Sequence, residues 1–448
     1  MENYSKKLHN LIPGGAHTYS RGDDQFPNNA PQILSKAKGV YVWAPNGKKY
    51  LDYGMGLRSV NIGYGNKEIA DAAYSEIIKG NNLTRPSTTE LEAAELITDL
   101  IPSAEMVKFA KHGSTVTTAA IKLARAFTDR KYIAVPSEHP FFSFDDWFIG
   151  STNIKKGTLN ETSDFTLKFN YNNSNSLSLL FQKYPNQIAA VIMEPATSVG
   201  PCPTSCNFKN NCMNCSNHNN NFLKKVQSIC KENGTLFILD EMITGFRWDI
   251  NGAQNFYGIE PDLSTFGKAM ANGFSLAALT GKREVMSMGN ILNKGQERVF
   301  LTSTTHGAEM NSLGAFIKTV EILEREDGIK KCWEYGLHLK NEINEISKNL
   351  GILDFFYVEG YPCSPNYVTL DNTKNNSLEF RTLFQEVMIQ NKILIPYISI
   401  SLSHSFKELD LTLKAVNKAL KIYRDALEKG VFNFLKSSPI KPVFRKFN

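Results

Sequence analysis

LFILDEMITGF, residues 236–246, decides the fold. Four apolar residues run without alternation into two adjacent acids, Asp240 and Glu241, and a Thr-Gly follows. An unbroken apolar run is the signature of a strand covered on both faces, as in a parallel sheet. Similar runs lie at 133–135, 188–193 (IAAVIM) and 276–280 (LAALT), each bounded by helix or turn signals. The expected fold class is therefore α/β, with a mostly parallel central sheet in a large domain and a smaller α+β domain after it.

Around that centre, KGVYVWAPNGKKYLDY at 38–53 alternates about a Pro-Asn-Gly turn and predicts a β-hairpin. Ser87 and Glu90 form an S-x-x-E signal opening a helix to about residue 100. Val116, Ala119, Ala120, Leu123, Ala124 and Phe127 fall at helical spacing and predict a helix over about 115–127. Longer amphipathic helices begin near 311, ISISLSH at 398–404 reads as a strand, and a last helix spans about 407–429, ending at Gly430. The expected division is 1–55 packing with the small domain, 56–310 as the large domain and 311–448 as the small one.

Composition narrows the function classes. With 448 residues, 42% hydrophobic and 21% charged, the chain has the make-up of a soluble globular protein, so global disorder and fibrous structure are excluded. No run approaches the roughly 18 apolar residues of a membrane span, and the first residues lack a signal-peptide h-region. A cytoplasmic location is the expectation. The formal net charge of +6 is spread along the chain, and the short basic tail at Lys436, Lys441, Arg445 and Lys446 reads as a solvated end, so no nucleic-acid partner is expected.

Three signals carry chemistry. Asp240 and Glu241 end their strand where open α/β sheets bind ligands. PDLSTFGKAMANGF, 261–274, sets Lys268 between Gly267 and a turn of small residues. KHGSTVTTAA, 111–120, puts Gly113, Ser114 and Thr115 at the start of a predicted helix, where N–H groups, hydroxyls and the helix dipole favour an anion. Singly, each has an ordinary reading as a turn acid, a solvated lysine or an N-cap. Together, a lysine, a buried acid and a phosphate cup match what pyridoxal phosphate needs: an amine for a Schiff base, a carboxylate for the pyridine nitrogen and a seat for the phosphate.

These motifs also resemble a known family. LIPGGAHTYSR (11–21), YLDY and GYGN (50–66), IPSAEMVKFAKHGS (101–114), KLARAFTDR (122–130), IMEP (192–195), LDEMITGFR, PDLSTFGK and LTSTTHGAE (301–309) are similar to those of class III pyridoxal-phosphate aminotransferases, nearest the glutamate-1-semialdehyde 2,1-aminomutase group. The resemblance implies the aspartate-aminotransferase-like fold type I. It implies Lys268 as the Schiff-base lysine, Asp240 as the partner of the pyridine nitrogen, and Gly113 with Ser114 as the phosphate pair. Met242 and Ile243 match the residues beneath the ring. Thr304 matches a threonine that reaches the neighbouring subunit's phosphate, implying a homodimer with shared active sites. Arg21 matches a carboxylate contact, and Glu194 matches a family glutamate near the site with an equally good structural reading at its strand end.

Departures from the pattern fall on the substrate side. SEHPFFSFDDWF, 137–148, replaces the usual aromatic-His-Gly run and puts His139 at the stacking position, with Phe141 or Phe142 as alternatives. GMGLRSVN, 54–61, puts Leu57 and Arg58 where the aminomutase group has Trp-Gly, and Arg58 adds an anion contact. The expected reaction is amino transfer between a small, anionic amino donor and a carbonyl acceptor. An intramolecular aminomutase or a racemase/epimerase is the alternative. Finally, Cys202, Cys206, Cys212 and Cys215 have the density of a structural zinc site, against the plainer reading of an Asn-rich insertion with free thiols.

Overall fold

The computed structural model describes residues 3–201 and 221–448, so the four clustered cysteines lie outside the described residues. Two compact units emerge: residues 1–66 with 330–445, and residues 67–329 with 446–448. Among the described residues no helix is long and apolar enough to cross a membrane.

The second unit is built on a seven-stranded sheet. In chain order its strands are β1 (Met106–Ala110), β2 (Tyr132–Pro136), β3 (Thr166–Phe169), β4 (Ile188–Met193), β5 (Leu236–Glu241), β6 (Leu263–Phe266) and β7 (Ala277–Gly281). The spatial order is β1-β7-β6-β5-β4-β2-β3. Strands β6, β5, β4, β2 and β3 pair in parallel. The expectation of a mostly parallel sheet holds, with one correction: β7 runs antiparallel to both β1 and β6. Its apolar run reports burial on both faces, and burial does not encode direction. Every residue of β4 and β5 is buried, including Asp240 and Glu241.

The helix Gly113–Thr128 lays Val116, Ala119, Ala120, Leu123 and Ala124 into the core containing Ile133, Val135, Ile192 and Ile238. The helix Thr88–Leu100 opens at Ser87, whose Oγ accepts from the Glu90 N–H at 3.0 Å. The helix Met310–Arg325 packs on Lys67–Ile78. Gly314 is required there, because a Cβ would sit 2.7 Å from Glu76 Cγ. That packing keeps Met310–Arg325 in the second unit, whose main segment runs from residue 67 to 329.

The first unit joins the chain's beginning to its end. The hairpin of Tyr41–Trp43 and Lys49–Asp52 forms as expected, and Ile393–Leu394 adds a parallel strand beside Lys49–Asp52. Helices Leu378–Gln390 and Phe406–Lys429 cover a core with Tyr53, Leu383, Val416 and Leu420. Gly430 ends the last helix with φ +88°. The expected strand at 398–404 is not one. Ile398 and Ile400 are buried, but the segment's backbone bonds Ser399 N–H to Tyr53 O, Leu402 N–H to Asn61 O and the local turn His404 N–H to Ser401 O are isolated. Its alternation records burial without a ladder partner.

Candidate active site

Strand register brings the site together. Asp240 lies beside Thr265, and Glu241 beside Phe266, so the chain leaves β6 through Gly267 and Lys268 directly alongside the acids. On the other side Met193 pairs with Leu239, and Glu194 and Asp240 follow from adjacent strands.

Asp240 is 3% exposed. Its Oδ1 accepts from the Met242 N–H at 2.9 Å and from the Thr265 hydroxyl at 3.2 Å. Both bonds land on one oxygen, which leaves Oδ2 to a ligand. Burial pushes the carboxyl up to about 6, against the opposing pull of the Met242 N–H, the Lys268 ammonium and Thr265. That electrostatic coupling ties Lys268 to Asp240. Lys268 itself has φ +42°, a left-handed conformation that costs a non-glycine residue about 1–2 kcal/mol. Strain of this kind persists where the surroundings fix it, often at functional sites. Next door, Glu241 accepts from the Ala253 and Gln254 N–H groups at 2.6 and 3.0 Å, and burial raises it to about 7.

Met242 is the wedge between the parts. A Cβ on Gly113 would stand 3.0 Å from its sulfur, and one on Gly267 only 2.6 Å. One thioether thus packs against the start of a helix and the residue before the lysine, and it would have to shift to admit a Cβ at Gly267. Gly267→Ala is expected to cost about 1–3 kcal/mol by overpacking. Because the clash has one partner, Gly267→Ala combined with Met242→Ala is expected to lose less than the two changes summed. Thermal unfolding of the four proteins checks this.

The helix Gly113–Thr128 starts without a side-chain cap: His112 at its N-cap position makes no capping bond. Its first N–H groups, aligned with the helix dipole, form an anion seat. Ser114 is buried, and its Oγ accepts from the Phe144 N–H at 3.2 Å, so its own proton is available to a ligand. His139 is 2% exposed. Its Nδ1 accepts from the Glu194 N–H at 3.1 Å, which sets the ring proton on Nε2, a buried atom without a protein partner. Burial lowers its pKa to about 3, so the ring is neutral. It packs on Tyr171 and Phe142, whereas Phe141, two residues on, is 42% exposed.

A family description for class III aminotransferases matches residues 24–354. The chain belongs to the class III aminotransferases. A glutamate-1-semialdehyde 2,1-aminomutase of Francisella philomiragia is 30% identical over 359 residues, 78% of each chain. The solved structure of the FumI protein of Sphingopyxis sp. MTA144, in its PLP internal aldimine form, is similar over 98% of both chains, with a TM-score of 0.82 and 23% identity. An omega-transaminase from Sphaerobacter thermophilus is similar over 94% of this chain and 97% of its own, with a TM-score of 0.81 and 20% identity.

In this class III aminotransferase the second unit gathers Lys268, Asp240, Met242, Gly113, Ser114, His139 and Glu194 around the sheet's carboxyl edge. Thr304 is exposed on a turn closed by Gly307 N–H to Thr304 O at 3.3 Å. Arg21 and Arg58 belong to the first unit. Arg21 is exposed on the turn Tyr19–Arg21. Arg58 ends a run of four left-handed residues, Met55 to Arg58, lies 4.8 Å over the Tyr397 ring and donates to Ser364 Oγ. Among the described residues no group of three or more His, Cys, Asp or Glu is placed to hold a metal, and Cys230, Cys332 and Cys363 are buried and not in disulfides.

Sequence reading missed Thr265 and the pairing of Ser114 with Phe144. The first needs the β5–β6 register and the second needs the path of a loop. Neither leaves a local sequence signal.

Proposed function

We propose that this protein is a pyridoxal-phosphate-dependent aminotransferase that moves an amino group from a small anionic donor to a carbonyl acceptor, as a homodimer with shared active sites. The observation that carries this is the strand register that sets Gly267 and Lys268 alongside the buried Asp240, next to an uncapped helix start. Bound pyridoxal phosphate would supply an aldehyde for the amino group and a ring that takes up the electron pair of the substrate's Cα–H bond.

The chain's own residues do the rest. Asp240, with Oδ2 open, holds a proton on the pyridine nitrogen. Thr265 and the Met242 N–H fix that carboxylate in place. The first turn of Gly113–Thr128 and the Ser114 hydroxyl bind the phosphate. Met242 forms the floor beneath the ring, and Phe141, half-exposed and edge-on to Phe148, is assigned to its other face. The His139 N–H, orphaned in the protein, is a donor for a ligand oxygen. Lys268 Nζ would take up and return the proton of the substrate's Cα–H bond. Arg21 and Arg58 are assigned to the substrate's anionic group from the sequence match. Thr304 serves the neighbouring subunit. Large exposed apolar side chains on Lys67–Ile78 and Thr88–Leu100, Tyr74, Ile77, Ile78 and Leu91, support a covering second copy.

Two-stage ping-pong kinetics are expected, with release of a keto product from the donor before any acceptor is added. The aminomutase relative favours one second reading, intramolecular transfer. In that case a single amino substrate is converted to its isomer with no acceptor present and no keto product accumulating. A purified protein that does neither overturns both.

A further inference from the structure

Two segments far apart in the chain are stitched into one rim. Asn81, left-handed at φ +51°, offers its carbonyl to Met310 N–H at 2.8 Å and its Oδ1 to Asn311 N–H at 3.0 Å. Asn82 Nδ2 donates to Thr305 O at 3.1 Å. Between these segments lies a groove of about 200 Å³, lined by Asn82, Thr84, Arg85, Glu90, Thr304 and Thr305 among others. The stitching fixes the backbone that carries Arg85 beside the turn that carries Thr304.

Arg85 is exposed. Among the described residues its guanidinium makes no hydrogen bond and no ion pair, and Glu90 of the same groove does not neutralise it. An arginine offers five donors in a rigid plane matched to carboxylate or phosphate oxygens. Left unpaired in a polar groove beside hydroxyls, it is a binder in search of an oxyanion. Glu90, the carboxylate in its own groove, forms no ion pair with it.

We propose that Arg85 is lent, together with Thr304, to the neighbouring subunit's active site, where it binds an oxyanion. This rests on the reading of a homodimer in which Thr304 crosses between subunits. The oxyanion is either the substrate's carboxylate or the cofactor's phosphate. The chemistry of recognition is the same, and the test separates them.

Arg85→Ala should fold as the native chain does, since the side chain holds nothing together. Loss of a charge-assisted contact is expected to weaken the oxyanion about 10- to 100-fold. A rise in KM for carboxylated amino donors but not for a neutral amine identifies the substrate. A rise in the dissociation constant of pyridoxal phosphate identifies the cofactor. Arg85→Lys is expected to recover part of either loss. The decisive arm is a hybrid dimer, isolated by two different tags, of an Arg85→Ala subunit and a Lys268→Ala subunit. Its one site with Lys268 would receive an intact Arg85 from the other subunit, and native KM and cofactor affinity are expected there. A hybrid that keeps the defect of the Arg85→Ala homodimer overturns the proposal, as does an Arg85→Ala protein with both constants unchanged. If instead the Lys268→Ala homodimer turns over, or the native protein is a monomer, the underlying reading fails, and these two measurements show it independently of Arg85.

Discussion

Lys268→Ala is expected to lower turnover on the order of 10⁴-fold or more while leaving the fold intact, because on the proposed function it would remove both the covalent anchor and the proton carrier. The visible absorbance of the protein with pyridoxal phosphate should disappear with it. The proposed phosphate seat at Gly113 and Ser114 is untouched, so the cofactor should still bind, non-covalently and dialysably. Small primary amines added to the variant should restore part of the proton transfer. Stability separates this role from a structural one. Lys268 is held at φ +42°, and alanine there keeps the strain. Lys268→Gly relieves it and should be more stable than Lys268→Ala by about 1 kcal/mol, though equally inactive. Equal midpoints for the two in thermal unfolding would argue that the left-handed turn is unstrained. Substantial activity in either would remove the lysine from the mechanism.

How far the sequence alone reached is clearest at particular elements. Apolar runs located β2, β4, β5 and β7, because strands buried on both faces must be apolar throughout. The same runs could not report that β7 is reversed. β3 and β6 are four residues each, TLKF and LSTF, too short and too mixed for either periodicity to register. At 398–404 the period-two pattern was real but reflected two buried isoleucines in an unpaired extended segment. The helix Gly113–Thr128 was legible nearly to its ends, since its apolar face repeats over four turns.

The site divides in the same way. Asp240, Gly113 and Ser114 each sit at the end of an element that sequence can find, whereas Lys268 follows β6, which it cannot, and is legible only through its PDLSTFGK motif. What fixes them is legible only in three dimensions. Gly267 looks like a turn glycine, yet its φ of 178° is open to any residue. Its constraint is the Met242 sulfur. His139 as a ring-stacking residue follows from its place in the motif, but its burial, its bond to Glu194 and its neutral state depend on where β4 ends. Arg85 carries no sequence signal, being one of 50 Lys and Arg residues, and stands out only once its groove-mates are known.

Asp240→Asn should separate function from stability with opposite signs. Catalysis needs an anion against the pyridine nitrogen, and an amide supplies none, so activity should fall by about 10²–10³-fold or more. The unloaded protein should gain stability. Burial raises the folded-state carboxyl to about 6 from its ordinary 3.8. A carboxyl raised on folding favours the folded state when protonated, and ionisation is what costs. The cost is absent below about pH 4, grows between pH 4 and 6, and is complete above 6. At neutral pH it amounts to something on the order of 3 kcal/mol. Asparagine keeps an acceptor for the Met242 N–H and the Thr265 hydroxyl while removing the buried charge. The variant's advantage in denaturant unfolding, measured without cofactor, should therefore be largest near pH 7–8 and vanish by about pH 4. Glu241, raised to about 7 by the same burial, keeps a background decline in stability with rising pH in both proteins, so only the difference between them isolates Asp240. Saturating pyridoxal phosphate should reverse the ranking, because the native carboxylate then faces a protonated nitrogen and its ionisation becomes favourable. An advantage for Asp240→Asn that is the same at pH 4 and pH 8, or that survives cofactor saturation, would mean that the buried acid is not ionised against a ligand and has a structural role alone.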